Sequence, residues 1–508
     1  MNFVIGCDIG SQSVKSILLS VEGKLKGEYK VGYGIEYPHP TWAEQDPNLW
    51  LNALVDSIRG LLKETNTHAK QIVSIGLDAQ VDGLVVVDSS GKPLRPAIIW
   101  MDRRAVAQSD SVESNFEAGR IRRITGLNPD PSHVAPKIRW LAENEPDTYQ
   151  RVRYFLLPGS FIAYCLTAEV GVDFSNASST MLMDIRSRKW SDELCTSFEI
   201  DKNMLGNIYP ATHIIGGLSG TFAEKLGLIP HIPVVLGSGD EHASSLGAGV
   251  VSSGLVCDIA GTGESICAAI YNPIFDPSGL LETHCHADPD LWLLENPGFV
   301  SGGVYRWFSE EFAQREIALV VEGGMDIYEA LNDLAASVPI GSDGLVMLPC
   351  LMGAMTPSRN SQARGTFMGF TLAHHKGHFI RSMLESFAYG VRDNTDVMDK
   401  MGLNLREIRV VGGGAKSKLL CQIKADVTGL PISRTQTEQT AALGAGMLAL
   451  VGIKEMSSIT EVVKQTVTVI DTFFPVPSAQ SHYEEYYQLY RSTYSALLPV
   501  FNLSSGRK

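Results

Sequence analysis

Val4-Ile5-Gly6-Cys7-Asp8-Ile9-Gly10-Ser11-Gln12-Ser13-Val14-Lys15 reads as an apolar strand, a turn of small residues and the start of a second strand that continues to Leu19. Gly10, Ser11 and Ser13 let backbone amides come close to phosphate oxygens, and Asp8 at the strand end suits a hydrated Mg2+ held through water. A Walker loop is excluded, because no Gly-Lys-Ser/Thr follows and the turn leads into a strand rather than a helix. By itself the segment also fits an ordinary hairpin with a polar tip. Lys15 fits either a phosphate partner or a solvated surface lysine. The rest of the chain has to decide.

At 508 residues the chain exceeds one ordinary core, which predicts two large domains. Its composition, 44% apolar and 19% charged, is that of a globular protein. A formal net charge of -14 argues against nucleic acid or an anionic membrane as the main partner, since both select basic surfaces. A nucleotide is still admissible, because amides and a bound cation supply positive field locally. No apolar run approaches the ~20 residues that cross a bilayer, and no basic segment precedes the first apolar stretch. The expectation is a cytoplasmic protein with its eight scattered cysteines reduced. A homodimer is held open.

Short apolar runs alternate with segments of helical period, which predicts an α/β protein with mixed sheets. Strands are expected at residues 72–77, 84–87, 234–237, 255–259, 265–270 and 408–411, and helices at 48–62, 379–398, 417–428 and 480–498. Asp88 to Pro93 is a turn between strands. Cys7-Asp8-Ile9-Gly10-Ser11 finds an echo 250 residues on in Cys257-Asp258-Ile259-Ala260-Gly261-Thr262-Gly263. Two related halves would set these turns face to face across a cleft; a chance match is the alternative. The expected division is 1–248 and 249–508.

Three further segments carry candidate chemistry. Val234 to Gly247 is a strand, a glycine turn and a small-residue helix, with Asp240 at the helix start. Asp240 there is either an N-cap or a carboxylate placed to accept a proton from an attacking hydroxyl in phosphoryl transfer. Gly412-Gly413-Gly414 follows another strand and reads as a nucleotide approach or a tight strand-to-helix turn. His284-Cys285-His286 has metal-ligating types, but alternation sends the two histidines to one face and the cysteine to the other, without a second ligand cluster in the sequence.

In order along the chain, Asp8-Ile9-Gly10-Ser11, Trp42-Ala43-Glu44-Gln45-Asp46-Pro47, Gly91 to Trp100, Ala135-Pro136-Lys137, Gly239-Asp240, Gly261-Thr262, Gly365 to Arg392 and Gly412 to Ala415 resemble the FGGY carbohydrate kinase family, within the broader actin-like ATPase fold. The pattern is most similar to xylulose kinases. The resemblance implies two actin-like, ribonuclease H-like α/β domains with mixed sheets flanked by helices and a cleft between them, the first binding sugar and phosphate and the second nucleotide. It implies ATP and Mg2+ as cofactors, Asp240 as the catalytic base, and Asp8 with Asp240 organising the metal. Gly10, Ser11 and Gln12 would face the β- and γ-phosphates, opposite Gly261 and Thr262, while Gly413, Gly414 and Ser417 would line the nucleotide site. The sugar pocket would draw on Gln80, Val81, Asp82, Asp102, Asp240 and Glu241, with Trp42 or another aromatic as a wall.

Departures from the pattern fall in that pocket. Gln80-Val81-Asp82 stands where xylulose kinases carry Gln-Met-His, Met101-Asp102 where they carry Asn-Asp, and Asp240-Glu241 where they carry Asp-Asn. Ionised carboxylates only accept hydrogen bonds, which favours a substrate rich in donating hydroxyls, a polyol or a differently bound ketose. Asp82 and Glu241 could instead face solvent or pair with Arg103 or Arg104. Glu264 brings one more carboxylate to the second hairpin, directed either at the phosphates or away. The competing function is an actin-like ATPase or sugar-responsive switch without kinase chemistry.

Overall fold

In the computed structural model, which describes residues 1–114, 116–323 and 326–504, two mixed sheets form the frame. The first contains β1 (Phe3–Ile9), β2 (Ser13–Ser20), β3 (Leu25–Gly32), β4 (Ile72–Ala79), β5 (Ile214–Gly217) and β6 (Pro233–Gly239), in spatial order β5-β6-β4-β1-β2-β3. The second contains β7 (Leu255–Ala260), β8 (Gly263–Ile270), β9 (Glu282–Cys285), β10 (Trp292–Val300), β11 (Glu407–Val411), β12 (Ile432–Thr435) and β13 (Val469–Phe473), in order β9-β10-β8-β7-β11-β12-β13.

The echo between Cys7-Asp8-Ile9 and Cys257-Asp258-Ile259 is architectural. β1 pairs antiparallel with β2 and parallel with β4, and β4 runs parallel to β6; β7 likewise pairs antiparallel with β8 and parallel with β11, and β11 runs parallel to β12. Every residue of β1 is buried, which explains its unbroken apolar run, since a central strand covered on both faces has no reason to alternate. The outer strand β3 shows alternating exposure.

Among the helices, α1 (Pro47–Glu64), α2 (Asp240–Gly247), α3 (Lys376–Lys400), α4 (Lys418–Thr428) and α6 (Pro477–Ser504) lie where expected, α4 starting one residue late, while α5 (Thr440–Gly452) lies outside the expected set. Asp46 caps α1 by accepting from the Asn48 amide at 2.9 Å, and Pro47 fills the first helical position, where its missing N–H costs nothing.

One helix crosses the expected division at 248/249. α5 lies late in the sequence yet packs its apolar residues Leu443, Met447 and Leu448 with Val4, Ile17 and Leu19 of the first sheet. Two glycines permit it: a Cβ at Gly6 or Gly76 would lie 2.1 Å from the carbonyl oxygen of Ala442 or Ala445. The packing therefore assigns 440–452 to the first sheet, although the chain reaches it last. Among the described residues no helix is long and apolar enough to cross a membrane, and all eight cysteines are free thiols.

Candidate active site

The parallel strands β1, β4 and β6 finish at the same end of the first sheet, and each brings an aspartate there. Asp8 sits beside Asp78 in register, and Asp78 pairs with Ser238, two residues before Asp240. Carboxyl ends of parallel strands are where open α/β sheets bind ligands. Asp8 and Asp78 are buried, and Asp240 is partly so.

Asp240 is not the N-cap. Gly239 holds that position, and Asp240 is the first helical residue of α2, its Oδ1 accepting from the Glu241 amide at 3.1 Å. The carboxylate thus stays at the helix mouth, open to a ligand. Burial, then the neighbouring charges of Glu241 and Asp8, push its pKa well above the ordinary carboxylate value. Asp78 is pushed up as well, by burial and then by Asp8 and Asp240, and neither of its oxygens has a hydrogen-bond donor among the described residues. Lys15 is not a solvated surface lysine: its Nζ donates to Asp8 at 3.0 Å and is held protonated chiefly by that charge.

Asp78 falls just outside the strand expected at 72–77, because β4 runs on to Ala79. The available signal was three strands each closing on an aspartate, but only the parallel register shows that they meet. Unpaired oxygens on a buried carboxylate are an energetic liability unless a cation or proton satisfies them. Such an all-oxygen donor set fits Mg2+.

The turn residues Gly10, Ser11 and Gln12 project at the same end. The Gly10 amide donates to the Ser13 carbonyl at 3.1 Å, and Gln45 Nε2 donates to the Ser11 carbonyl at 2.7 Å. Gln45 Oε1 in turn accepts from Gln80 Nε2 at 3.0 Å and Trp50 Nε1 at 3.1 Å. One buried side chain therefore ties the phosphate-type turn to the expected sugar pocket, a role not read from the sequence.

Residues of that pocket have diverse settings. Gln80 is buried with its Oε1 unpartnered, and Val81 is half-buried. Asp82 pairs with neither Arg103 nor Arg104; its carboxylate lies 3.3 Å from His133 Nδ1, and its carbonyl accepts from Lys137 Nζ at 2.6 Å. Burial opposes a charge on His133, but Asp82 with Glu282 and Asp130 outweighs it and pushes the imidazole up to about 9. Asp102 is fully buried and engaged by the protein: its Oδ2 accepts from the Ala43 amide and Arg104 Nη2, both at 2.7 Å, and its Oδ1 from the Arg104 amide at 2.9 Å. Arg104 also lies 3.8 Å from the Trp42 ring centroid, so Asp102 acts on this wall by fixing Arg104 and Trp42. Glu241 Oε1 accepts from Ser265 Oγ at 2.7 Å, which joins the first turn of α2 to β8 of the second sheet.

Across that junction, Gly261 and Thr262 form the turn of the second hairpin, with Thr262 exposed. Glu264 points away from any phosphate, since its Oε1 receives Lys424 Nζ at 2.6 Å inside the core. Of the three glycines after β11, Gly414 is required by packing, because a Cβ there would lie 2.6 Å from that of Ala260; Gly413 faces open space. Ser417 caps α4 by accepting from the Leu420 amide at 3.2 Å. The tight turn thus accounts for Gly414 but not for Gly413.

His284 lies in β9, whereas His286 follows its last residue, and the two have different surroundings. His286 is satisfied by the Val250 carbonyl at 3.0 Å and the Asp288 amide at 2.8 Å. His284 meets a second cluster after all, His242 of α2 and Glu295 of β10.

Residues 3–247 match the model of the N-terminal domain of the FGGY family of carbohydrate kinases, and residues 258–453 that of its C-terminal domain. A xylulose kinase of Lactococcus lactis is 31% identical over 97% of both chains. Glycerol kinase 2 of Saccharolobus solfataricus is also 31% identical, over 93% of both. Among solved structures, the ligand-bound xylulose kinase of Lactobacillus acidophilus superposes with a TM-score of 0.88 at 25% identity, over 99% of each chain. The aspartates at the sheet end thus stand in a known two-domain frame, and the chain belongs to the FGGY family of carbohydrate kinases, phosphotransferases that use ATP to phosphorylate a sugar.

Proposed function

We propose that Asp240 is the general base that takes the proton from an acceptor hydroxyl as it attacks the γ-phosphate of ATP, and that the acceptor is a small sugar or polyol. The observation that carries this reading is the meeting of Asp8, Asp78 and Asp240 at one sheet end, with Asp240 free of capping duty. Phosphoryl transfer asks the protein mainly for positioning and charge neutralisation. A base must be ionised to act, and the burial and like charge that push Asp240 up make its carboxylate, once ionised, a stronger base than an exposed one.

Asp8 and Asp240, joined by Asp78, would hold Mg2+, which when bound supplies positive charge to the phosphates. Lys15 holds the Asp8 carboxylate in place through its 3.0 Å hydrogen bond. Gly10, Ser11 and Gln12 present the first hairpin turn to the phosphates, Gly261 and Thr262 the second, and Gly413, Gly414 and Ser417 border the nucleotide. Gln80, Val81, Asp82 and Glu241 line the acceptor side, while Asp102 supports it from behind. Relatives that act on xylulose and on glycerol are consistent with either a ketose or a polyol; the acceptor carboxylates Asp82 and Glu241 favour a hydroxyl-rich one. An enzyme that spends ATP on a small sugar fits a cytoplasmic location.

A coupled ADP-release assay over pentuloses, tetritols, pentitols and glycerol tests this reading. The expected result is strong stimulation by a narrow group of polyhydroxylated acceptors. ATP hydrolysis indifferent to all of them would favour a nucleotide-dependent switch without kinase chemistry.

A further inference from the structure

Behind the Asp240 carboxylate, three buried side chains from different elements come together. His242 lies in the first turn of α2, two residues after Asp240; His284 is on β9 and Glu295 on β10 of the second sheet. One ligand atom from each lies within 4.8 Å of the other two. Both ring nitrogens of His242, both of His284 and Oε2 of Glu295 lack any hydrogen-bond partner among the described residues. Exposure is 1%, 5% and 2%, so water does not make up the difference from bulk solvent. Buried imidazoles and carboxylates are ordinarily satisfied, and three such side chains, each bringing one unsatisfied atom to the same place, call for a ligand.

Neighbouring groups do not supply it. Glu282 is committed to Arg359 and Asn128, each at 2.7 Å, and its approach to His284 Nε2 is 3.9 Å, too long for a hydrogen bond. His286 is satisfied elsewhere, and the Cys285 amide bonds Ser178 Oγ on another side. Two imidazoles and one carboxylate make a donor set of the kind that binds zinc with a position left open, and the nitrogens disfavour Mg2+, which selects oxygen.

We infer that His242, His284 and Glu295 form a second metal site, for a divalent transition metal of the zinc class, which cross-braces α2 to the edge of the second sheet. This site would be separate from the oxygen-lined one at Asp8, Asp78 and Asp240. Because His242 shares the helix of Asp240 and Glu241, a metal here would fix the catalytic carboxylate relative to the second sheet.

The test is Co2+ and Zn2+ titration of the metal-stripped full chain with Mg2+ in excess to fill the carboxylate site. The expected result is one equivalent of Co2+ with the intense visible bands of low coordination, displaced by Zn2+, and X-ray absorption of the zinc form showing two imidazoles and oxygen. His284→Gln and Glu295→Gln should each weaken binding by at least the ~10–100-fold that even outer-shell changes cost, and should abolish the rise in Tm that Zn2+ gives the wild-type chain. No stoichiometric binding by wild-type protein, a zinc form without imidazole ligands, or full affinity in folded variants would overturn the assignment. The wild-type arms do so even if a variant fails to fold.

Discussion

The two hairpins share a plan and differ in where their aspartates lead. In the first, Asp8 receives one lysine, Lys15, from the adjacent strand, and opens with Asp78 and Asp240 onto the end of the sheet. In the second, Asp258 and Glu264 close on Lys424 of α4, at 2.5 and 2.6 Å, and all three side chains are sealed in the core. One half keeps its carboxylates available to a ligand; the other spends the corresponding carboxylate on its own stability. A repeated motif therefore marks shared architecture, and the two copies differ in whether their carboxylates are sealed in the core or left at the sheet end.

Exchanging each lysine for methionine should split the two roles. Lys424→Met leaves two carboxylates buried without a cation, which costs about 3–5 kcal/mol, read as a large drop in the urea or thermal midpoint. Lys15 is partly exposed, so Lys15→Met should cost less than about 1 kcal/mol of stability yet slow sugar-dependent ADP release by about a hundredfold, comparable to loss of one oriented charge at a transition state. Equal effects of the two changes on stability would erase the distinction.

A smaller effect is expected on the pH dependence of turnover. Glu241 is the leading like charge on Asp240, so Glu241→Gln should lower the pKa of the base and move the acid limb of kcat/KM to lower pH. An acid limb that stays in place would separate Glu241 from the base.

Asp258→Asn should be milder still, within about 1 kcal/mol, because it leaves one lysine facing one carboxylate. Burial pushes Asp258 up to about 8, above its unfolded value of 3.8, so its contribution to stability is full below about pH 4 and is lost as pH rises toward 8. The variant should flatten that part of the stability profile, and an unchanged slope between these limits would show that Asp258 does not titrate there. The smallest expected effect is on selectivity: Asp82→His should tilt the substrate ranking toward xylulose, and an unchanged ranking would remove Asp82 from recognition.

Much of this frame was legible in the sequence, because strand and helix periods are local. The hairpin at Asp8, its echo at Asp258, the helix after Asp46 and the strand leading to Asp240 all follow from neighbouring residues. What escaped depends on register and on distant partners. Asp78 comes beside Asp8 only when β4 lies parallel to β1; Glu264 turns inward only because Lys424, far along the chain, meets it; His284 meets His242 and Glu295 only because α2 and β10 pack there. Helix α5, late in the sequence, returns to the first sheet through close contacts at Gly6 and Gly76, which no local pattern reveals.

The most direct test of the central claim is sugar-dependent ADP release by Asp240→Asn, with nucleotide affinity measured in parallel. The amide fills the same space but cannot accept the proton, so turnover should fall by about a thousandfold or more, within the range that general-base removal reaches, while nucleotide still binds with near wild-type affinity. Turnover close to wild type would contradict the assignment of Asp240 as the base.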